Sequence, residues 1–119
     1  MNLGKLGTFG EDRAAVYLKL RGWKIVERNF SCRFGEIDII AQKGGFIAFV
    51  EVKLRSEGSF YSGREAVTVT KQRKIIAAAE CWLSQHETDL QPRFDILELT
   101  RDRSGRIKTD HIEDAFQIN

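Results

Sequence analysis

The sequence predicts an α/β domain in which a mixed central sheet carries helices on its faces, and three observations predict it. Two stretches place their apolar residues at helical spacing, several short runs rich in Ile, Val and Phe have strand character, and the order is helix, three strands, helix, two strands. At 119 residues, with 42% hydrophobic and 30% charged side chains, the chain is the size of one domain with a real core.

The elements follow in order. Thr8, Phe9, Gly10 and Glu11 read as a capping box in which Thr8 caps a helix and Glu11 reaches back to it. Phe9, Ala14, Ala15, Val16, Leu18 and Leu20 form that helix's apolar stripe to about Arg21, and Gly22 is its stop. Residues 23–28 make a first strand. Residues 36–42 and 46–53 make a hairpin, because Gly44-Gly45 is a favoured two-residue turn. Residues 54–65, polar and containing glycine, form a surface loop beside the strand ends, a common place for substrate contacts. A second helix starts near Thr68 or Thr70, ends near Gln85, and buries Ile75, Ile76, Ala79, Trp82 and Leu83. Pro92 marks a break before a strand at 94–100, and Asp102-Arg103-Ser104-Gly105 turns the chain into 106–111. The tail is expected to pack Ile112 and Phe116 against a sheet edge.

Charge and cysteines exclude several classes. A net charge of +2 is too small for a strongly cationic wrapping protein, although local basic patches remain open. Cys32 and Cys81 lack the paired spacing of zinc ligands, so reduced thiols in a cytosolic protein are expected. No segment resembles a signal peptide or a membrane span, which implies a cytoplasmic protein without a membrane partner.

Four charges carry the chemistry. Glu36 and Asp38 lie on one hairpin strand, and Glu51 and Lys53 on the other, whose neighbours are apolar on both faces as in a buried strand. If Gly44-Gly45 is the turn, Lys43 pairs with Phe46, Asp38 stands opposite Glu51 and Glu36 opposite Lys53, all on one face. Like charges directly opposite destabilise a sheet, so Asp38 beside Glu51 is either a defect or half of a cation site. Carboxylate oxygens are what Mg²⁺ prefers. The second helix opens with Lys71, Gln72, Arg73 and Lys74, a basic cluster where the helix dipole favours an anion, and a bound phosphate would resolve that conflict.

With these residues in view, Glu11, Gly35-Glu36-Ile37-Asp38, Phe49-Val50-Glu51-Val52-Lys53-Leu54-Arg55, Glu65-Ala66-Val67 and Arg93-Phe94-Asp95 resemble the landmarks of the YraN family. Arg28-Asn29 and Ala115-Phe116 extend the match over nearly the whole chain, and Tyr61-Ser62-Gly63 departs from it where a Phe-Gly pair is expected. The resemblance implies a restriction-endonuclease-like fold and a likeness to Holliday-junction resolvases. It implies that Asp38, Glu51 and Lys53 are catalytic, that Mg²⁺ or Mn²⁺ is held by Asp38 and Glu51 with the Val52 carbonyl, and that Glu11 and Glu36 complete the shell. DNA is the expected partner, branched or structured, with Arg55, Lys71, Gln72, Arg73 and Lys74 on its phosphates and a homodimer as the arrangement that cuts symmetric junctions.

Each residue also has a plainer reading. Glu11 can be only a cap, Glu36 only a cross-strand partner of Lys53, and the basic helix start only a solvated face. His86 and His111 have no partner motif and read as structural. Two functions therefore compete: a metal-dependent nuclease, and a non-catalytic nucleic-acid-binding module or assembly factor that keeps the nuclease fold.

Overall fold

The computed structural model describes residues 3–58 and 67–118, with side chains from Phe9 onward. The elements are α1 (Leu3–Leu20), β1 (Lys24–Cys32), β2 (Gly35–Lys43), β3 (Phe46–Ser56), α2 (Val69–Gln85), β4 (Gln91–Arg101) and β5 (Ile107–Phe116). They build one five-stranded sheet in the order β1-β2-β3-β4-β5. Only the β3–β4 pair is parallel, and α2 lies between those two strands in the chain, as a parallel connection requires.

The sheet has a core on each face. On one side α2 buries Ile75, Ala78, Ala79 and Trp82 against Ile40, Phe49 and Ile96. On the other, α1 buries Ala14, Ala15 and Leu18 against Ile39, Val50 and Leu97. Successive residues of β3, from Ile47 to Val50, alternate between these two cores. This is the expected mixed α/β architecture with a helix on either face, and it is consistent with a restriction-endonuclease-like fold.

Five expectations are corrected. The first helix begins at Leu3, so Thr8 lies inside it and not at its start. A Cβ on Gly10 would touch Val52, Leu54 and Leu99, so α1 is already packed on the sheet where the capping box would have only its first turn. Strand β1 continues to Cys32 through Asn29, whose φ of 56° kinks the strand and lets Phe30 pack on the α2-side core. Strand β3 runs to Ser56, paired with Arg101, where a loop from residue 54 was expected. Ile112 and Phe116 belong to β5 itself, facing Ile96 and Phe94, where a docked tail was expected. Glu36 stands opposite Ser31 of β1, not opposite Lys53. The rest of the anticipated loop, including Tyr61-Ser62-Gly63 and Glu65-Ala66, lies outside the described residues.

The hairpin register agrees with the sequence as far as the ladder extends. Lys43 pairs with Phe46 and Ile39 with Val50, with Gly44 at φ 58° supplying the turn. At the other end of β2, Gly35 is pressed on α2, where a Cβ would come within 2.8 Å of the Lys74 carbonyl oxygen. Gly35→Ala is therefore expected to cost about 1–3 kcal/mol. Gly45→Ala, whose Cβ would meet nothing within 4 Å, is the near-neutral control. Urea denaturation of the two variants checks the contrast; equal midpoints would show that the hairpin and α2 are not in close contact.

Candidate metal and nucleic-acid site

Beyond Ile39 and Val50 the β2–β3 ladder stops, and a side chain takes its place. Asp38 Oδ2 accepts a hydrogen bond from the Val52 backbone N–H at 2.7 Å. That bond carries the Asp38 carboxyl into contact with the Glu51 carboxyl. Burial first, and the Glu51 charge second, push Asp38 up from 3.8 to about 6, against the opposing pull of the Val52 N–H and the Lys71 charge.

Glu51 is buried at 6% exposure and is neutralised from two directions. Its Oε1 lies 3.6 Å from Lys53 Nζ, two residues along the same strand face, and 3.7 Å from Lys71 Nζ, in the first turns of α2. Thr68 starts that helix, its hydroxyl accepting from the Lys71 N–H at 3.2 Å, so the cap that the sequence indicates also aims Lys71 at the sheet. Lys71 and Lys74 then line an open cleft of about 590 Å³ with Ser31, Arg33, Phe34 and Glu36.

The remaining anticipated residues divide. Glu11 shares the buried face of α1 with Ala14, Ala15 and Leu18, and Arg28 Nη2 stands 3.8 Å from it and 2.6 Å from Asp12. It is thus held near the sheet margin by an arginine rather than by a helix cap. Glu36 is exposed in the cleft. Among the described residues no three His, Cys, Asp or Glu side chains converge as a group that could hold a metal, so Asp38 and Glu51 stand as a pair. Arg55 pairs with Glu98 at 3.4 Å. Gln72 Nε2 donates to the Val67 carbonyl at 3.0 Å and braces the entry to α2. Arg73 lines a separate groove with Val69, Ile76 and Ile118.

Two features lay outside the sequence reading. The contact of Lys71 with Glu51 joins residues whose proximity depends on how α2 crosses the sheet, and no local pattern reports it. Arg101 at the end of β4, and Arg103 and Arg106 in the turn that follows, are all exposed at the end of the sheet where Arg101 pairs with Ser56. Their dense spacing was visible, but only the register of β4 on β3 places them past Lys53.

The donor set suits a hard divalent cation: two carboxylates in contact, of which Asp38 makes no ion pair among the described residues. The fold and the site together define a small α/β domain with an acid pair that Lys71 joins to a basic cleft. The chain belongs to the family described as Uncharacterised protein family UPF0102, whose model matches residues 10–99. It is similar to a UPF0102 protein of Geobacter metallireducens, 46% identical over 95% of this chain and 93% of that protein. It is also similar to UPF0102 proteins of Parafrankia sp., 42% identical over 94% and 96%, and of Clostridium perfringens, 41% identical over 95% and 94%. Among the described residues no helix is long and apolar enough to cross a membrane.

Proposed function

We propose that this protein is a metal-dependent endonuclease of the restriction-endonuclease-like superfamily, hydrolysing phosphodiester bonds in structured DNA. The observation that carries the reading is the contact of two carboxylates, Asp38 and Glu51, joined through the Lys71–Glu51 ion pair to the basic start of α2, which lines a neighbouring cleft. Asp38 and Glu51 would hold Mg²⁺ or Mn²⁺, which when bound polarises the phosphoryl group and lowers the pKa of water. Asp38 is held for this task by the Val52 N–H, which fixes its Oδ2 while the carboxyl stays in contact with Glu51. Lys53, a third exposed beside Glu51, orients the attacking water or offsets charge at the phosphorus. Lys71 and Lys74, which line the cleft, hold the phosphates that flank the scissile bond.

One observation favours a second reading, a binding module that does not cleave: Glu51 Oε1 already has two ammonium groups within 4 Å. In that reading the lysines complete the site and no cation enters. One experiment separates the two. Purified protein is incubated with labelled junctions, flaps, duplexes, single strands and RNA in Mg²⁺, Mn²⁺ or chelator, and calorimetry follows metal binding to the free protein. The nuclease reading expects saturable Mn²⁺ binding and cleavage of at least one DNA structure that chelator abolishes. Nucleic-acid binding with neither metal uptake nor cleavage would establish the module instead.

A further inference from the structure

Cys32 and Cys81, far apart in sequence, meet in the fold. Cys32 ends β1, Cys81 lies in α2, and their thiols hydrogen-bond to each other. Packing on either side fixes the meeting. The β1–β2 turn is pressed against α2 at Gly35 and Lys74, and Trp82 Nε1 donates to Glu27 Oε1 of β1 at 3.0 Å. Lys74 and Cys81, seven residues apart, share one face of α2, so the strand end that contacts the first also reaches the second.

The two sulfurs are not equivalent. Cys32 accepts from the backbone N–H groups of Phe34 and Gly35 as well as from the Cys81 thiol, and Arg33 adds its charge. Burial pushes the Cys32 thiol up, but these donors outweigh it and hold the thiol below its ordinary range. Cys81 is pushed up, first by its hydrogen bond to Cys32 and then by burial. Cys32 is half-buried and lines the same cleft as Lys71 and Lys74, so a small solute reaches it. An activated thiol with access, backbone donors and a second thiol in contact has the parts of a reversible oxidation site.

We propose that Cys32 and Cys81 form a peroxide-reactive dithiol site on the seam between the β1–β2 hairpin and α2, with Cys32 as the attacking thiol and Cys81 as the resolving one. The Cys32 thiolate attacks one oxygen of hydrogen peroxide. The O–O bond breaks, the departing hydroxide takes up a proton as water, and Cys32 becomes a sulfenic acid. The Cys81 sulfur then attacks the Cys32 sulfur, the S–O bond breaks, and the hydroxyl leaves with the Cys81 proton as a second water. Two thiols lose two electrons in total, and peroxide is reduced to two waters. The resulting disulfide ties the hairpin that carries Asp38 to the helix that carries Lys71, the two elements that bound the cleft. In a reducing cytosol such a bond is transient and suits sensing rather than structure. None of this depends on the nuclease reading.

The test treats the purified full chain with a few equivalents of hydrogen peroxide and reads intact mass, peptide mapping and thiol labelling. Wild type is expected to lose two hydrogens, yield a Cys32–Cys81 linked peptide, and recover with dithiothreitol. Cys81→Ser is expected to stop at a sulfenic acid on Cys32 that dimedone traps. Cys32→Ser is expected to react at least about tenfold more slowly at its remaining thiol. Iodoacetamide labelling of unmodified wild type provides a check that needs no variant: Cys32 should be alkylated before Cys81. Equal rates at the two thiols, disulfides only between molecules, or no linked peptide from wild type would each overturn the proposal.

Discussion

Asp95→Ala is expected to destabilise the protein by about 3–5 kcal/mol, a large share of the roughly 5–15 kcal/mol that holds a domain together. Asp95 is 1% exposed in β4 and receives four hydrogen bonds. Arg93 Nε and Nη2 donate at 2.9 and 2.8 Å, the Asp114 N–H at 3.0 Å, and His111 Nε2 lies at 2.7 Å. The Arg93 guanidinium lies 5.1 Å from the Trp23 ring centroid and 5.0 Å from that of Phe46, and the His111 ring meets Tyr17 and Trp23, each at 6.1 Å. One carboxylate thus joins the end of α1, the start of β3 and both C-terminal strands. Removing it leaves a largely buried guanidinium whose remaining ion pair among the described residues is the exposed Glu113, 3.6 Å away, and an imidazole without its acceptor.

The pH dependence of that loss has a definite sign. Burial alone would raise the Asp95 pKa, but His111, Arg93 and the Asp114 N–H together hold it below the ordinary carboxylate value. A carboxyl depressed in the folded state stabilises above its unfolded pKa, and the contribution is lost as pH falls through the folded value. The gap between wild type and Asp95→Ala should therefore be full at neutral pH and narrow in acid. Asp95→Asn, which keeps an acceptor, should lose less, about 1–3 kcal/mol. Urea titrations at neutral and acid pH read all three proteins. A gap below 1 kcal/mol at neutral pH, or one that widens in acid, would refute the network's role.

What the sequence disclosed divides along the range of the interactions. The hairpin was legible because Gly44-Gly45 fixes a turn and a turn fixes every pair behind it, so the nearness of Asp38 to Glu51 followed from counting. The same counting failed at Glu36, because strands need not stay paired once the ladder ends. There a side chain replaced the backbone: Asp38 took the Val52 N–H, and β2 continued along β1 instead. The Thr8 capping box is a local signal that does not mark a helix end, since α1 already begins at Leu3. Asp95 and His111 illustrate the opposite limit. Arg93-Phe94-Asp95 stood out as a landmark and His111 as a structural histidine, but their union requires the β4–β5 register, with its irregularity between Phe94 and Ile96. Cys32 with Cys81 and Lys71 with Glu51 were hidden for the same reason, being contacts of α2 across the sheet.

Asp38→Asn is expected to leave the metal-free protein at least as stable as wild type while removing both its response to Mn²⁺ and its cleavage. At position 38 asparagine still offers an oxygen to the Val52 N–H, so the bond that replaces the ladder survives. It removes the charge that Glu51 repels. The folded protein raises the Asp38 pKa from 3.8 to about 6. A carboxyl raised in this way favours the fold below its unfolded pKa, and that advantage is lost as pH rises through the folded value. Ionised Asp38 therefore costs the apo protein about 3 kcal/mol at neutral pH, and the advantage of the variant should open between about pH 4 and 6 and then level off. Bound metal reverses the comparison. Wild type should gain RT ln(1 + [L]/Kd), about 2.7 kcal/mol at a hundredfold excess over Kd, while the variant, short of one ligand charge, gains far less. Thermal melts with chelator and with Mn²⁺ across pH, beside a cleavage assay on the same samples, measure every term. If instead Lys71 were the true partner of Asp38, the variant would be the less stable protein in chelator, and neither would shift with metal. That outcome would turn the acid pair into ordinary ion pairing and remove the ground for a catalytic cation.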